Sequence, residues 1–129
     1  MTSFRTAVEN RDMAGVEALL AEDVVFRSPV AHKPYPGKAI TAAILRAVIE
    51  VFEDFHYVRE IDGGENHALV FEAKVSGFDI TGCDFLHFND EGKIDEFMVM
   101  VRPLKAAEAL AKAMGERFDQ IVADAQARS

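Results

Sequence analysis

A small set of side chains in this chain could do chemistry: Asp84, Ser28, Tyr35, Cys83 and the histidines His32, His56, His67 and His87. Asp84 has the most informative placing. It alternates with Leu86 and Phe88 in a run rich in β-formers, so if those apolar side chains face an interior, the carboxylate faces it too. Burial would raise its proton affinity and keep it as a neutral hydrogen-bond donor to a ligand oxygen. The alternative is a structural carboxylate paired with an internal arginine or a backbone group. His32 and Tyr35 stand between Pro29 and Pro36, in a stretch suited to a pocket rim. There His32 is either a general base or a solvated rim histidine. His56 and His87 alternate with Phe55, Tyr57, Leu86 and Phe88 and so take the opposite face, while His67 follows a turn and is expected to be exposed.

The spacing of these groups excludes several chemistries. No His-Glu-x-x-His or Cys-x-x-Cys pattern occurs, so no metal site is expected. Gly63-Gly64 lies between two β-rich runs instead of before a helix, so no phosphate loop, dinucleotide fingerprint or other cofactor is expected. Ser28 lacks a nucleophile elbow, and Cys83 has no neighbouring histidine to activate it.

Regular elements must position these residues. Phe4, Ala7 and Val8, then Asp12 as N-cap before Val16, Leu19 and Leu20, predict two short amphipathic helices. Val24 to Phe26 predict a strand, followed by a proline-bounded loop to Gly37. Ile40, Ile44, Ala47, Val48 and Val51 recur at helical spacing over 38–52, with Arg46 and Glu50 as an outer i,i+4 pair. Four β-rich runs follow, at 55–62, 67–76, 78–88 and 94–102, separated by turn-forming residues, which predicts an antiparallel meander. Gly77 and Gly82 are candidate bulges that would let the sheet curl; a simple turn is the alternative at Gly77. From Leu104 to Ala125 apolar residues step three and four apart, which predicts one long helix.

Composition sets the class. Over 129 residues, half are apolar and 10 are Phe, enough for one core without staples. A formal charge of -8 disfavours nucleic acid and anionic membrane surfaces as partners. No apolar run approaches spanning or signal-peptide length, and one cysteine cannot form an internal bridge, so a cytoplasmic location is expected.

Three stretches carry a family pattern: Asn10-Arg11-Asp12 through Ala21-Glu22-Asp23-Val24-Val25-Phe26, then Pro36-Gly37-Lys38-Ala39-Ile40, then Asp84 through Ile94. With the order of elements they resemble the nuclear-transport-factor-2-like superfamily, including SnoaL-like cyclases and ketosteroid isomerase. The resemblance implies an α+β fold: a cone-shaped barrel of curved, mostly antiparallel sheet packed on N-terminal helices, with a long C-terminal helix added. It implies one SnoaL-like domain over 1–129, core about 4–102 and final helix about 104–127. Function carries over by residue. The isomerase's general base falls at Ser28 and its oxyanion-hole tyrosine at Phe4; only the buried acid matches, at Asp84. Ser and Phe cannot take a proton from carbon at neutral pH, so ketosteroid isomerisation itself is not expected.

The site expectation is therefore Asp84 as acid or donor and His32 as possible base, with Ser28, Tyr35, Phe52, Leu86, Phe97 and Val99 as pocket lining. The ligand would be a small apolar molecule with a polar handle, and the chemistry isomerase, cyclase, hydrolase or dehydratase in type. A non-catalytic ligand-binding or dimerisation module is the alternative. Phe97, Val99 and Val101 alternate with Met98, Met100 and Arg102, so the last strand is largely apolar on both faces. One face is expected to line the pocket and the other to pack on a second copy, as a homodimer through the sheet, or on the final helix.

Overall fold

The computed structural model of the chain describes residues 3–128. Caps written in the sequence start its first two helices. Ser3 accepts the Thr6 amide at α1 (Phe4–Glu9), and Asp12 accepts the Gly15 amide at α2 (Met13–Ala18), each satisfying a donor the first turn leaves free. Between them Arg11 takes φ 57°, the left-handed step that stops α1. The chain then runs through β1 (Leu20–Arg27), a short β2 (Tyr35–Pro36) and α3 (Lys38–Val51). Small residues Thr41, Ala42 and Ala43 let α3 pack closely, and Thr41 Oγ1 satisfies itself on the Gly37 carbonyl at 2.8 Å.

The meander follows as β3 (Glu53–Gly63), β4 (Asn66–Val75), β5 (Phe78–Phe88) and β6 (Ile94–Arg102). Its turns are local chemistry. Ser76 and Gly77 both take positive φ between β4 and β5, and Asn89 accepts the Glu91 and Lys93 amides between β5 and β6. The sheet order is β2-β1-β6-β5-β4-β3, with β1 parallel to β6 and every other pair antiparallel. It curls around the helices without closing.

The curl does not come from bulges at Gly77 or Gly82. Register shifts instead lie in β1 against β6 between Leu20 and Val25, in β3 between Glu53 and His56 and between Tyr57 and Arg59, and at His87/Phe88. Gly77 is the turn residue. Gly82 stays in register opposite Phe71, where an added Cβ would sit 2.3 Å from the ring's Cζ, so its role is to make room for that ring.

The C-terminal helix is also corrected. It is two helices, α4 (Leu104–Glu116) and α5 (Phe118–Arg128), broken at Arg117, whose amide returns to the Met114 carbonyl at 3.1 Å. The break turns α5 onto α3 and buries Ile121 and Ala125, while Leu104, placed on the apolar seam by spacing, is exposed. Arg46 and Glu50 do not pair with each other: Arg46 reaches Glu17 of α2 at 3.5 Å and Glu50 takes Arg117 at 3.1 Å, because neighbouring helices offer those partners. His67 is half-buried, edge-on to Phe88 with centroids 4.9 Å apart, instead of exposed. Among the described residues no helix is long and apolar enough to cross a membrane.

Candidate functional site

The concave face of the sheet and all five described helices enclose an apolar cavity of about 260 Å³. Its floor comes from strand residues of inward parity, among them Phe26, Phe55, Phe97 and Val99; α1 to α3 supply Phe4, Val16, Ile44 and Val48; α4 and α5 supply Leu110, Met114 and Phe118. Ring packing shapes one wall. Phe52, Phe55 and Phe71 pack together with centroids 5.0–5.6 Å apart, Phe52 and Phe55 stacked and Phe71 tilted against both, and Tyr57 stands edge-on to Phe55 at 5.0 Å.

Within this lining sits one buried carboxyl. Asp84 is 6% exposed and its Oδ2 accepts the Tyr57 hydroxyl at 2.7 Å. Among the described residues neither an arginine nor the backbone partners its side chain, and Oδ1 has no protein partner. Burial pushes the Asp84 carboxyl up to about 7, with the Tyr57 bond pulling the other way. Tyr57 is itself pushed well above its ordinary value, first by burial and then by the neighbouring Asp84 charge. At neutral pH the pair therefore offers a phenol and a carboxyl poised between acid and base, in surroundings where a hydrogen bond is strengthened by exclusion of water.

The sequence-predicted residues divide. Asp84, Ser28, Tyr35, Phe52, Phe97 and Val99 all border the cavity. Leu86 does not: it is 3% exposed and packed in the core, since strand parity fixes the face of a side chain and not whether the helices leave space above it. His32 does not border it either; the loop carries it outward, where it is exposed. Ser28 borders the cavity with its Oγ accepting the Val30 amide at 3.1 Å. His56 and His87 lie on the outward face, beside Glu72 and Asp95 respectively.

Tyr57 is the functional candidate that the sequence reading passed over. Alternation gives its inward parity, but its reach across β4 to Asp84 follows from the pairing of β3, β4 and β5, which local spacing does not encode. The first-helix position where the resemblance puts a tyrosine is Phe4, which lines the cavity and packs edge-on to Phe97, so the phenol here arrives from β3 instead. Among the described residues no three His, Cys, Asp or Glu side chains converge as metal ligands.

Comparison with known proteins finds relatives that share this fold. The family model for the SnoaL-like domain matches residues 1–97. A crystal structure of a steroid delta-isomerase from Pseudomonas aeruginosa is 42% identical, over 91% of this chain and 87% of that one, with a TM-score of 0.84. An uncharacterised bacterial protein with a cystatin-like fold, from Silicibacter pomeroyi, is 38% identical over 88% and 81% of the two chains, also at 0.84. A de novo designed protein with a curved β-sheet, 14% identical over 87% of this chain and 98% of that one, shares the fold alone at 0.64. No curated protein matches.

Proposed function

The chain belongs to the SnoaL-like domain family of the nuclear-transport-factor-2-like superfamily, and on that premise we propose that its pocket binds a small apolar ligand by a carbonyl oxygen, with Asp84 as donor and Tyr57 holding it in place. The observation that carries this is the buried carboxyl with one oxygen occupied by a phenol and the other free beside an apolar cavity. In its neutral form Asp84 accepts from Tyr57 through Oδ2 and donates from Oδ1 to a ligand acceptor.

The chemistry open to such a site is polarisation of a carbonyl. Of the described lining residues, Tyr35, Tyr57 and Asp84 are the titratable ones, and Ser28 holds the position where the isomerase resemblance calls for a carboxylate base. Its Oγ is engaged with the Val30 amide, which favours binding without carbon-proton abstraction. The Pseudomonas relative's name, a steroid delta-isomerase, supports an apolar carbonyl compound as the class of ligand, while Ser28 leaves an isomerisation step here without a carboxylate base.

Calorimetry with α-tetralone against its hydrocarbon, tetralin, tests the reading. The ketone should bind about tenfold tighter, the worth of one hydrogen bond. That advantage should vanish in Asp84→Ala, and it should fade as pH rises through about 7, where the donor is lost. Deuterium exchange at the α-carbon should stay at the background rate. Equal affinity for ketone and hydrocarbon would sink the proposal.

The outward face of the same sheet supports a second copy of this chain as partner. Ile61, Ala68, Phe85 and Met98 lie in one cross-strand row, next to Val70, Cys83 and Met100. Ile61 and Met100 are each 55% exposed. The rim carries both signs, with Arg59 and Arg102 among Glu72 and Glu96, so a two-fold copy can match apolar centre to centre. Light scattering should give a dimer that a Phe85→Glu, Met100→Lys double variant converts to monomer; a wild-type monomer contradicts the pairing.

A further inference from the structure

The same cavity carries a limit on ligand size, and α4 and α5 impose it. An engineered apolar cavity of about 150 Å³ takes up benzene, so by proportion a 260 Å³ cavity holds a ligand of roughly ten heavy atoms. That is one ring or two fused rings with a single oxygen. A four-ring skeleton, with about twice as many atoms, has no room unless part of the wall moves or its far end stands in water.

The wall in question is the C-terminal segment. Leu110, Ala111 and Met114 of α4 and Phe118 and Ile121 of α5 line the cavity. Of the lining residues, Val30, Gly115 and Phe118 are the exposed ones, so the mouth opens between the β1–β2 loop and the α4–α5 break. The break is held in place: Arg117 reaches Glu50 of α3 at 3.1 Å, and the far end of α5 is tied through Arg128 to Glu17 of α2. Burial of Ile121 and Ala125 adds the apolar part of the attachment.

Resting on the reading of Asp84 as carbonyl anchor, we infer that the ligand is a monocyclic or bicyclic carbonyl compound of roughly ten heavy atoms, and that Met114 and Phe118 are the specificity-determining side chains that reject larger ones. Alanine at either position would shorten a side chain that lines the cavity, half-buried at Met114 and exposed in the mouth at Phe118. Phe118 is 42% exposed, so its removal leaves the buried core in place.

The test titrates the wild-type protein and a Met114→Ala, Phe118→Ala double variant with cyclohexanone, α-tetralone and a four-ring ketosteroid, with circular dichroism to check that the variant is folded and Phe118→Ala alone as a milder second variant. Wild type should prefer α-tetralone over the ketosteroid by at least about tenfold, and the double variant should lose that preference by gaining the steroid. Wild-type binding of the ketosteroid as tight as that of α-tetralone overturns the size limit and leaves the carbonyl anchor standing. Folded variants that still reject the steroid overturn the assignment to Met114 and Phe118. No binding of any of the three ketones by wild type overturns the pocket reading itself.

Discussion

The two faces of β5 and β6 are cut from alternate residues of the same strands, yet they hold their polar groups by opposite means. Inward lie Asp84, Leu86, Phe97 and Val99; outward lie Phe85, His87, Met98 and Met100. Each face has a titratable group whose pKa is raised. For Asp84 the cause is burial, which disfavours the charge; for half-exposed His87 it is first the hydrogen bond to Asp95, which favours the charge. The first shift reflects lost water and is indifferent to salt, whereas the second rests on neighbouring charges that salt screens. An inner face built this way stores a reactive group, and an outer one stabilises its surface charge.

Substitution of equivalent aromatics on the two faces should show the largest contrast. Phe71→Ala removes a ring that is 1% exposed and packed at a tilt on Phe52 and Phe55, and chemical denaturation should show a loss of about 3–5 kcal/mol. Phe85→Ala, at 37% exposure, should lose less than about 1 kcal/mol from the isolated chain. Equal losses would mean that the outward face is as well packed as the inner one.

The next effect in size is the pH dependence of stability. Because the folded-state carboxyl of Asp84 titrates near 7 and an unfolded one near its ordinary 3.8, the unfolded chain gives up this proton first. Stability from this group is fully present below the unfolded value and declines by about 1.4 kcal/mol per pH unit until the folded carboxyl also ionises. Asp84→Asn should flatten that decline and leave a protein more stable than wild type at pH 8 by on the order of 2 kcal/mol. A variant less stable than wild type at pH 8 would mean that the carboxylate is favourably solvated.

Much of this was legible in the sequence, for identifiable reasons. Strand parity is a local property, so the inward direction of Asp84, Phe97 and Val99 followed from alternation alone. Caps and turns are local too, which is why Asp12, Gly77 and Asn89 fell where residue chemistry puts them. What stayed hidden depends on segments remote in the chain. Leu86 and Val99 share the same parity, but only Val99 meets an open space, because that is decided by where α3 to α5 sit. Tyr57 reaches Asp84 across an intervening strand, and His32 is turned outward by a loop whose path no spacing encodes. The break at Arg117, which brings Phe118 to the mouth, interrupts an apolar seam that runs on unbroken in the sequence.

The most direct test of the inner face is the protonation of Asp84 itself, read from the carboxyl ¹³C shift of the labelled protein across pH, with and without α-tetralone. The account predicts a midpoint near 7 in the free protein, moved upward by the bound ketone because only the neutral acid donates to it. A midpoint in the ordinary range near 4, unmoved by the ketone, would contradict it.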